Sequence, residues 1–285
     1  MSPRFVKLKI CLLLGLWAVA FIPVYPDLFH AWVHRPNNSH GILVPIISAF
    51  LIWRQREELR RTVISNSALG VFILVTSMAL YILAYAGSVA VVSRSMIVFS
   101  LIGLLLFVFG REVINKVLFP LLFLLFMIPV PDSVYGLIAL PLQLFATEVS
   151  TGLIQALGIS AYREGNMVYF AQTQLEVAEA CSGLRSMTAF VMLAFLFAYL
   201  MNRRRHWKKG LIVISAIPLA IIANIVRVTT TGILANFFGD KVARGFLHEF
   251  SGLAVFAFGF VFLFLEYFIL TKSTKAIDVE KDVTA

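Results

Sequence analysis

Residues 179–209 read EACSGLRSMTAFVMLAFLFAYLMNRRRHWKK, so a polar segment with one cysteine is followed by a long apolar run and a basic cluster. About 20 mostly apolar residues are enough for one helix to cross a membrane. Arginine and lysine collect in the cytoplasmic segments next to such helices. The stretch therefore predicts a membrane span over residues 182–201, with Cys181 at its outer end and the basic cluster on the cytoplasmic side.

The composition extends this reading to the whole chain. Of the 285 residues, 60% are hydrophobic and 14% are charged, and the mean hydropathy is +0.90. Soluble domains carry about 25% charged residues, so we predict an all-α polytopic membrane protein that forms one integral membrane domain over residues 1–285. The net charge of +9 comes from short clusters between apolar runs, which indicates membrane topology and lipid contacts and not a nucleic-acid partner.

The apolar runs predict about eight transmembrane helices. They lie at residues 8–25, 41–53, 69–87, 92–109, 113–130, 182–201, 210–230 and 251–271. The distribution of basic residues places both termini in the cytoplasm, with 272–285 as a short tail. The first run begins like a signal peptide and contains Ala18-Val19-Ala20, but we predict that it is retained as the first span. Cys11 within it is expected to be a small buried hydrophobe.

The segment 132–160 is apolar enough to cross but contains Pro141, Gln143 and Glu148. Counting it as a ninth span would put the basic cluster at 203–209 opposite the one at 54–61, which the positive-inside rule disfavours. We therefore predict an interfacial or re-entrant helical segment. After it, apolar residues alternate at Val168, Phe170, Leu175 and Val177, which predicts a short extracytoplasmic hairpin before Cys181.

Three chemically distinct residues are predicted at one membrane depth. Cys181 opens one span, Arg227 lies about 18 residues above the cytoplasmic start of the next, and His248 lies just outside the last. A cysteine thiolate is a nucleophile, histidine can protonate a leaving amine, and arginine can stabilise an oxyanion. The trio therefore fits acyl transfer through a thioester. Spacing predicts shared depth but not lateral contact.

Each of these residues also has an ordinary explanation. Cys181 could be an inert buried thiol, Arg227 could reach lipid headgroups, and His248 could be a solvated loop residue. Polar neighbours favour a functional surface instead. Asn224 lies one helical turn below Arg227 on the same face, and three polar residues surround the cysteine in sequence, namely Glu179, Ser182 and Arg185.

The remaining histidines offer a metal-binding alternative. His30 and His34 are four residues apart and His40 follows in the same predicted outer loop, so they could bind zinc together with Cys181. No H-E-x-x-H pattern accompanies them, and we expect neither a metal nor another cofactor. His40 is instead a candidate for lining the site. His206 lies in the cytoplasmic basic cluster and is expected to be part of the topology signal.

At these positions the chain resembles the exosortase/archaeosortase family of polytopic membrane transpeptidases. The resemblance covers nearly the whole chain and is carried by four ordered motifs. They are SHGILVPIISAFLIWRQR at 39–56, LEVAEACSGLRSM at 175–187, IPLAIIANIVRV at 217–228 and HEFSG at 248–252. The resemblance implies a catalytic triad of Cys181, Arg227 and His248.

The resemblance also implies a substrate class and a location. Substrates would be exported proteins with a C-terminal sorting signal, made of a short motif such as PEP, a hydrophobic helix and a basic tail. The acceptor nucleophile stays open, and the location would be a bacterial inner membrane with the site facing outward, linked to exopolysaccharide export. Two other classes stay open: a transporter that uses intramembrane charges, and a metal-dependent membrane protease.

Overall fold

A computed structural model describes residues 3–171, 173–177, 184–201, 206–239, 254 and 256–272, and most of them are helical. The helices are α1 (Pro3–Ala20), α2 (Tyr25–His34), α3 (Leu43–Arg54), α4 (Arg56–Arg60), α5 (Ala68–Ala86), α6 (Ala90–Phe109), α7 (Arg111–Phe123), α8 (Asp132–Ala156), α9 (Leu184–Leu200), α10 (His206–Phe238) and α11 (256–272). Short 3-10 helices cover Pro36–Ile42 and Leu124–Met127, and three strands follow α8.

The chain divides into two compact units, residues Met1–Pro131 and Asp132–Ala285. The first contains α1 to α7, and the second contains α8 to α11 with the strands. The division into two units does not test the prediction that residues 1–285 form one integral membrane domain, which stays a prediction. Arg227 belongs to the second unit, whereas His40 belongs to the first.

Close helix packing organises the first unit. Gly70 of α5 lies against the backbone of Phe107, and Gly103 of α6 lies against the backbone of Leu74. Small residues allow this approach, which is typical of helix pairs in membranes. Two hydrogen bonds attach α1 to this pair: Trp17 Nε1 donates to Ser100 Oγ at 2.9 Å, and the Tyr81 hydroxyl donates to the end of α1 at 3.2 Å.

The prediction for Cys11 is wrong, because its side chain is exposed on the surface of α1. In a membrane, such a surface faces lipid or another helix, and an uncharged thiol tolerates either. The sequence could not distinguish the two faces of α1, since both are apolar.

In the part of the chain that the structure describes, fewer helices reach membrane-spanning length than the apolar runs predict. Among the described residues, four helices are long and apolar enough to cross, or up to five if α1 and α2, which meet at a 69° bend, count as one broken span. The count of about eight spans is therefore not confirmed. The chain still has several apolar helices, as expected of a multi-pass membrane protein.

Two of the predicted spans form short helices. The run 41–53 becomes α3, with 12 residues, and the run 113–130 is divided between α7, with 13 residues, and the following 3-10 helix. A helix of 12 residues is about 18 Å long, well below the roughly 30 Å of a bilayer core. These two helices pack on each other, and Ser48 Oγ donates to the Pro120 carbonyl at 2.6 Å.

The segment 132–160 forms one continuous helix, Asp132–Ala156, and its part Gly136–Ala156 is apolar and long enough to cross a membrane. The predicted re-entrant pair is therefore wrong, and the interfacial position stays a prediction. The polar residues that argued against a span are buried within the protein; they are Gln143, Thr147, Ser150 and Thr151. A polar residue counts against a span only where it faces lipid.

The predicted hairpin forms, with one strand more than the alternation indicated. Strands β1 (Ala161–Glu164), β2 (Met167–Phe170) and β3 (Gln174–Glu176) make an antiparallel sheet in the order β1-β2-β3. The four alternating apolar residues are all buried, as their period of two requires on a sheet with one covered face. They pack on Ile154 of α8 and Val228 of α10.

Helices α9, α10 and α11 share the second core of this unit. Phenylalanine rings from α9 fill the space, and alanines on α10 allow the helices to approach closely. The buried residues are Phe190, Ala194, Phe197, Ala198, Met201, Ile212, Ala216, Leu219, Ala220, Ala223 and Leu263. Gly259 of α11 lies directly against the ring of Phe190, where a larger side chain would overlap it.

Candidate active site

Arg227 lies on the buried face of α10. Its side chain is 8% exposed, and Asn224 one turn earlier is 3% exposed. Arg227 Nη2 donates to Asn224 Oδ1 at 2.7 Å, the contact that the spacing of three residues predicts. A guanidinium stays charged in proteins, so α10 holds a fixed positive charge inside the protein.

The long helix α10 sets the depth of that charge. Its 33 residues extend about 50 Å at 1.5 Å per residue, beyond the roughly 30 Å of a bilayer core. If His206–Lys209 marks one membrane boundary, Arg227 lies about 27 Å further along. The following turns, from Val228 to Gly232, pack on the sheet. Arg227 therefore lies where the apolar part of α10 meets the sheet.

A polar stripe on α8 faces α10 at this level. Ser150 Oγ donates to the Ile225 carbonyl at 3.2 Å, and a Cβ at Gly232 would lie 2.7 Å from Ile154. The two helices therefore run in the same direction where they pack. The hydroxyls of Thr147 and Thr151 each donate a hydrogen bond of 2.7 Å to the backbone carbonyl four residues earlier on α8. Their polar atoms are therefore satisfied within the helix.

The first residue of this stripe, Gln143, binds the strand segment that leads to Cys181. Gln143 Nε2 donates to the Val177 carbonyl, and the Val177 amide donates to the Asn166 carbonyl at 2.9 Å. Val177 is 1% exposed, so both of its backbone groups are satisfied without water. Gln143 was not among the predicted site residues, but Gln143, Thr147 and Ser150 recur at helical spacing, which indicates a polar helix face.

Val177 also connects this segment to α10. Val177 and Val228 belong to one buried cluster, and Val228 is the neighbour of Arg227 in sequence. Cys181 follows Val177 by four residues in the sequence, and four residues of extended chain reach at most about 14 Å. The approach to Cys181 and the buried Arg227 are thus in the same part of the second unit.

The predicted site residues fall into three groups. Arg227 and Asn224 are in contact, as described, and Arg185 is in the first turn of α9. His40 is in the 3-10 helix Pro36–Ile42 of the first unit. Four others lie outside the described residues, and they are Cys181, Glu179, Ser182 and His248.

His40 is in a partly apolar environment. Its side chain is half-buried, and this burial lowers the pKa of the imidazole from its usual value, although a hydrogen bond with the Phe126 backbone opposes the shift. At neutral pH, His40 is therefore uncharged. Its contribution to the catalytic site stays a prediction.

The two other outer histidines stack on each other. The ring centroids of His30 and His34 are 4.2 Å apart, and His34 Nδ1 lies 3.2 Å from the His30 carbonyl. Within the described ranges, no group of three or more histidine, cysteine, aspartate or glutamate residues could hold a metal ion. His206 is exposed at the start of α10.

The fold and these contacts define a class of protein: a multi-pass helical membrane protein with an arginine buried beside a small sheet. Comparison with known families then identifies the group. The family model described as transmembrane exosortase matches residues 32–265, and the chain belongs to this family. Members are generally cysteine transpeptidases that act on proteins with sorting signals. The comparisons with curated proteins and with solved structures give no match.

Proposed function

We propose that the chain is a thiol transpeptidase that cleaves the C-terminal sorting signal of exported proteins and transfers or releases them for surface attachment. Cys181 is the nucleophile, Arg227 stabilises the oxyanion, and His248 is the general acid. The observation that carries the proposal is the Arg227–Asn224 pair, a buried and oriented positive charge beside the segment that leads to Cys181.

The reaction begins with the Cys181 thiolate. It attacks the carbonyl carbon of the scissile peptide bond, and the tetrahedral oxygen receives the negative charge that the Arg227 guanidinium stabilises. His248 gives its proton to the leaving amine as the C–N bond breaks, which leaves a thioester on Cys181. An acceptor nucleophile then attacks the thioester carbonyl and gives its proton to His248, and the cysteine leaves as a thiolate, which restores both groups.

The sulfur–carbon bond is thus formed and broken within one cycle, without oxidation or reduction. Water as acceptor gives hydrolysis, and an amine or hydroxyl gives transfer. No cofactor enters this sequence of steps.

The supporting residues take roles that follow from their chemistry. Asn224 holds the Arg227 guanidinium in one orientation through its 2.7 Å hydrogen bond, which reduces the reorganisation needed during the reaction. Glu179, Ser182 and Arg185 flank the nucleophile and contact the substrate motif.

The proposal includes a location. The enzyme resides in a bacterial inner membrane with Cys181 facing outward, and its partners are membrane lipids, sorting-signal proteins and an acceptor nucleophile. The substrate's hydrophobic helix lies beside the bundle, its basic tail stays in the cytoplasm, and a short motif such as PEP reaches the cysteine. Exopolysaccharide-linked export is the proposed cellular context.

The test is substrate processing in cells that express the chain with a sorting-signal protein. The variants are Cys181→Ala, Cys181→Ser, Arg227→Ala and His248→Ala, and the readouts are substrate size and release from the membrane. Cys181→Ala is expected to stop processing while the enzyme accumulates normally and uncleaved substrate stays in the membrane.

Processing at the wild-type level by Cys181→Ala would end the thiol mechanism. Inhibition by a chelator would then favour the metal-dependent protease. Solute uptake that depends on Arg227 would favour the transporter.

A further inference from the structure

The buried face of α10 continues one turn beyond Arg227. Asn224, Arg227 and Thr231 follow one another at spacings of three and four residues, so they lie on one side of the helix. All three are buried, and Thr231 is 7% exposed. Gly232, the next residue, packs on the sheet. The face that holds the proposed oxyanion-stabilising charge therefore also carries a hydroxyl on its outward side.

The hydroxyl of Thr231 differs from those of two other buried threonines. Thr147 and Thr151 of α8 are also buried, and each donates to the carbonyl four residues earlier at 2.7 Å. Within the described ranges, the Thr231 hydroxyl makes no hydrogen bond of any kind. A buried hydroxyl without a partner costs free energy, and a ligand that brings a partner recovers that cost.

The Thr231 hydroxyl is also accessible to a ligand. Among the described residues, the polar atoms that are wholly enclosed and have no partner include Thr229 Oγ1 but not Thr231 Oγ1. The Thr231 oxygen therefore borders on space that another atom can enter. An unpaired hydroxyl that can be reached on an otherwise buried face can donate one hydrogen bond to an incoming acceptor.

Depth along α10 indicates what this hydroxyl meets. Thr231 lies about 6 Å further along the helix than Arg227 and about 33 Å from Lys209. With Lys209 at the cytoplasmic boundary, Thr231 is at the outer edge of a bilayer core of roughly 30 Å. In the proposed function, the substrate chain passes this level between its exported part and its hydrophobic helix.

The reach of an extended chain then identifies which substrate residues are involved. The Arg227 guanidinium points back toward Asn224, so along the helix axis it lies about 6 to 10 Å from the level of Thr231. An extended chain covers about 3.3 Å per residue. Two or three residues therefore separate the scissile carbonyl at Arg227 from a backbone group at Thr231.

We propose that the Thr231 hydroxyl binds the backbone of the sorting signal, by donating a hydrogen bond to the carbonyl of the second or third residue before the scissile bond. The inference rests on the proposed function and adds a substrate-binding residue to it. Backbone hydrogen bonds supply affinity without selecting side chains. The contact therefore fixes the register of the motif against Cys181.

The experiment measures processing of a sorting-signal protein in reconstituted membranes over a series of substrate concentrations. Thr231→Val keeps the shape and removes the hydroxyl, and Thr231→Ser keeps the hydroxyl. We expect Thr231→Val to raise the half-saturating substrate concentration about tenfold with little change in the maximal rate, because a binding contact is lost. Thr231→Ser should stay within about threefold of wild type. So should the matched control Thr230→Val, since Thr230 is exposed.

Thermal unfolding separates a binding role from a structural one. Without substrate, Thr231→Val should be at least as stable as the wild type, because the hydroxyl that it removes has no partner in the free protein. Saturating substrate should stabilise both proteins. At one subsaturating concentration, it should raise the unfolding temperature of the wild type more than that of Thr231→Val.

A change in the substrate identifies the bonding atom. An ester replaces the amide whose carbonyl belongs to the second or to the third residue before the scissile bond, and an ester carbonyl is the weaker acceptor. We expect one of the two esters to raise the half-saturating concentration for the wild type but not for Thr231→Val, because the variant has already lost the bond.

Three results would overturn the inference. The first is an unchanged half-saturating concentration in Thr231→Val. The second is a loss of stability in this variant without substrate, which would show that the hydroxyl is bonded within the protein. The third is the same ester effect in the wild type and in Thr231→Val. Failure of the proposed function is distinguishable, because the wild-type chain would then process no substrate, or Cys181→Ala would process it at the wild-type level.

Discussion

The contact between Gln143 and Val177 gives a sharp test of how the segment before Cys181 is held. Gln143→Leu keeps the approximate side-chain volume but removes the donor to the Val177 carbonyl. The site is dry, because Gln143 is 6% and Val177 1% exposed, so water cannot easily replace the lost bond. A buried acceptor without its donor costs about 1–3 kcal/mol.

That free energy translates into a range of rates. If the segment shifts while the protein stays folded, Cys181 is positioned less well and the processing rate falls. A cost of about 1–3 kcal/mol corresponds to a loss of about 5- to 150-fold, because 1.36 kcal/mol equals a factor of ten in rate. The maximal rate should fall more than the half-saturating substrate concentration rises, because the substrate's own contacts are unchanged.

The chain contains its own matched control. Gln155 lies on the same helix and also donates from Nε2 to a backbone carbonyl, that of Ala161, at 2.8 Å, but this bond is exposed. Water can replace it, so Gln155→Leu is expected to leave processing within about twofold of wild type.

The assay combines substrate processing with alkylation of Cys181. The chain has two cysteines, so a Cys11→Ser background leaves Cys181 as the single thiol. Alkylation rates over a pH series report the reactivity of that thiol, which a purely structural loss of folded protein would not change. The positioning role would be refuted if the Gln143→Leu variant unfolds normally and has the same processing rate and the same alkylation profile as the Gln155→Leu variant.

Three further predictions concern other contacts. Asn224→Leu removes the Oδ1 acceptor of the bond from Arg227 Nη2, so processing should fall by about tenfold or more while Cys181 alkylation continues. Normal processing would contradict the role of the pair. Burial lowers the pKa of His40 in the folded protein, so this histidine binds a proton more readily in the unfolded chain. The free energy of unfolding should therefore decline as the pH falls below about 6.5. A His40→Gln variant whose thermal unfolding keeps the same pH dependence would argue against this. Gly103→Leu should lower thermal stability in detergent by about 1–3 kcal/mol, because a side chain there meets the backbone of Leu74, whereas Gly15→Leu, with open space around it, should have little effect.

Local patterns in the sequence predicted some of these features well. The alternation of Val168, Phe170, Leu175 and Val177 predicted the hairpin, and all four residues are buried on one face. The spacing of Asn224 and Arg227 predicted a shared helix face, and the two side chains are hydrogen-bonded. Both predictions depend only on the periods of strands and helices, which neighbouring residues determine.

Hydropathy predicted the membrane spans less well for helices that contact other parts of the protein on one face. The polar residues of α8 seemed to argue against a span, but they face α10 and the strands. The runs at 41–53 and 113–130 are apolar, yet they form the short helices α3 and α7, which pack on each other through Ser48 and Pro120. Hydropathy averages over all faces of a helix, so it cannot tell a lipid-facing surface from one that faces protein.

The sequence by itself determined the membrane class and the family, and it predicted the residues of the proposed triad, because composition and ordered motifs are local properties. Tertiary structure decided which distant groups meet. Gln143 reaches Val177 across 34 positions, and Ser215 reaches Glu266 across 51. Such contacts depend on the register in which helices and strands pack, and that register is set by side-chain shape across the whole unit and not by any single stretch of the chain.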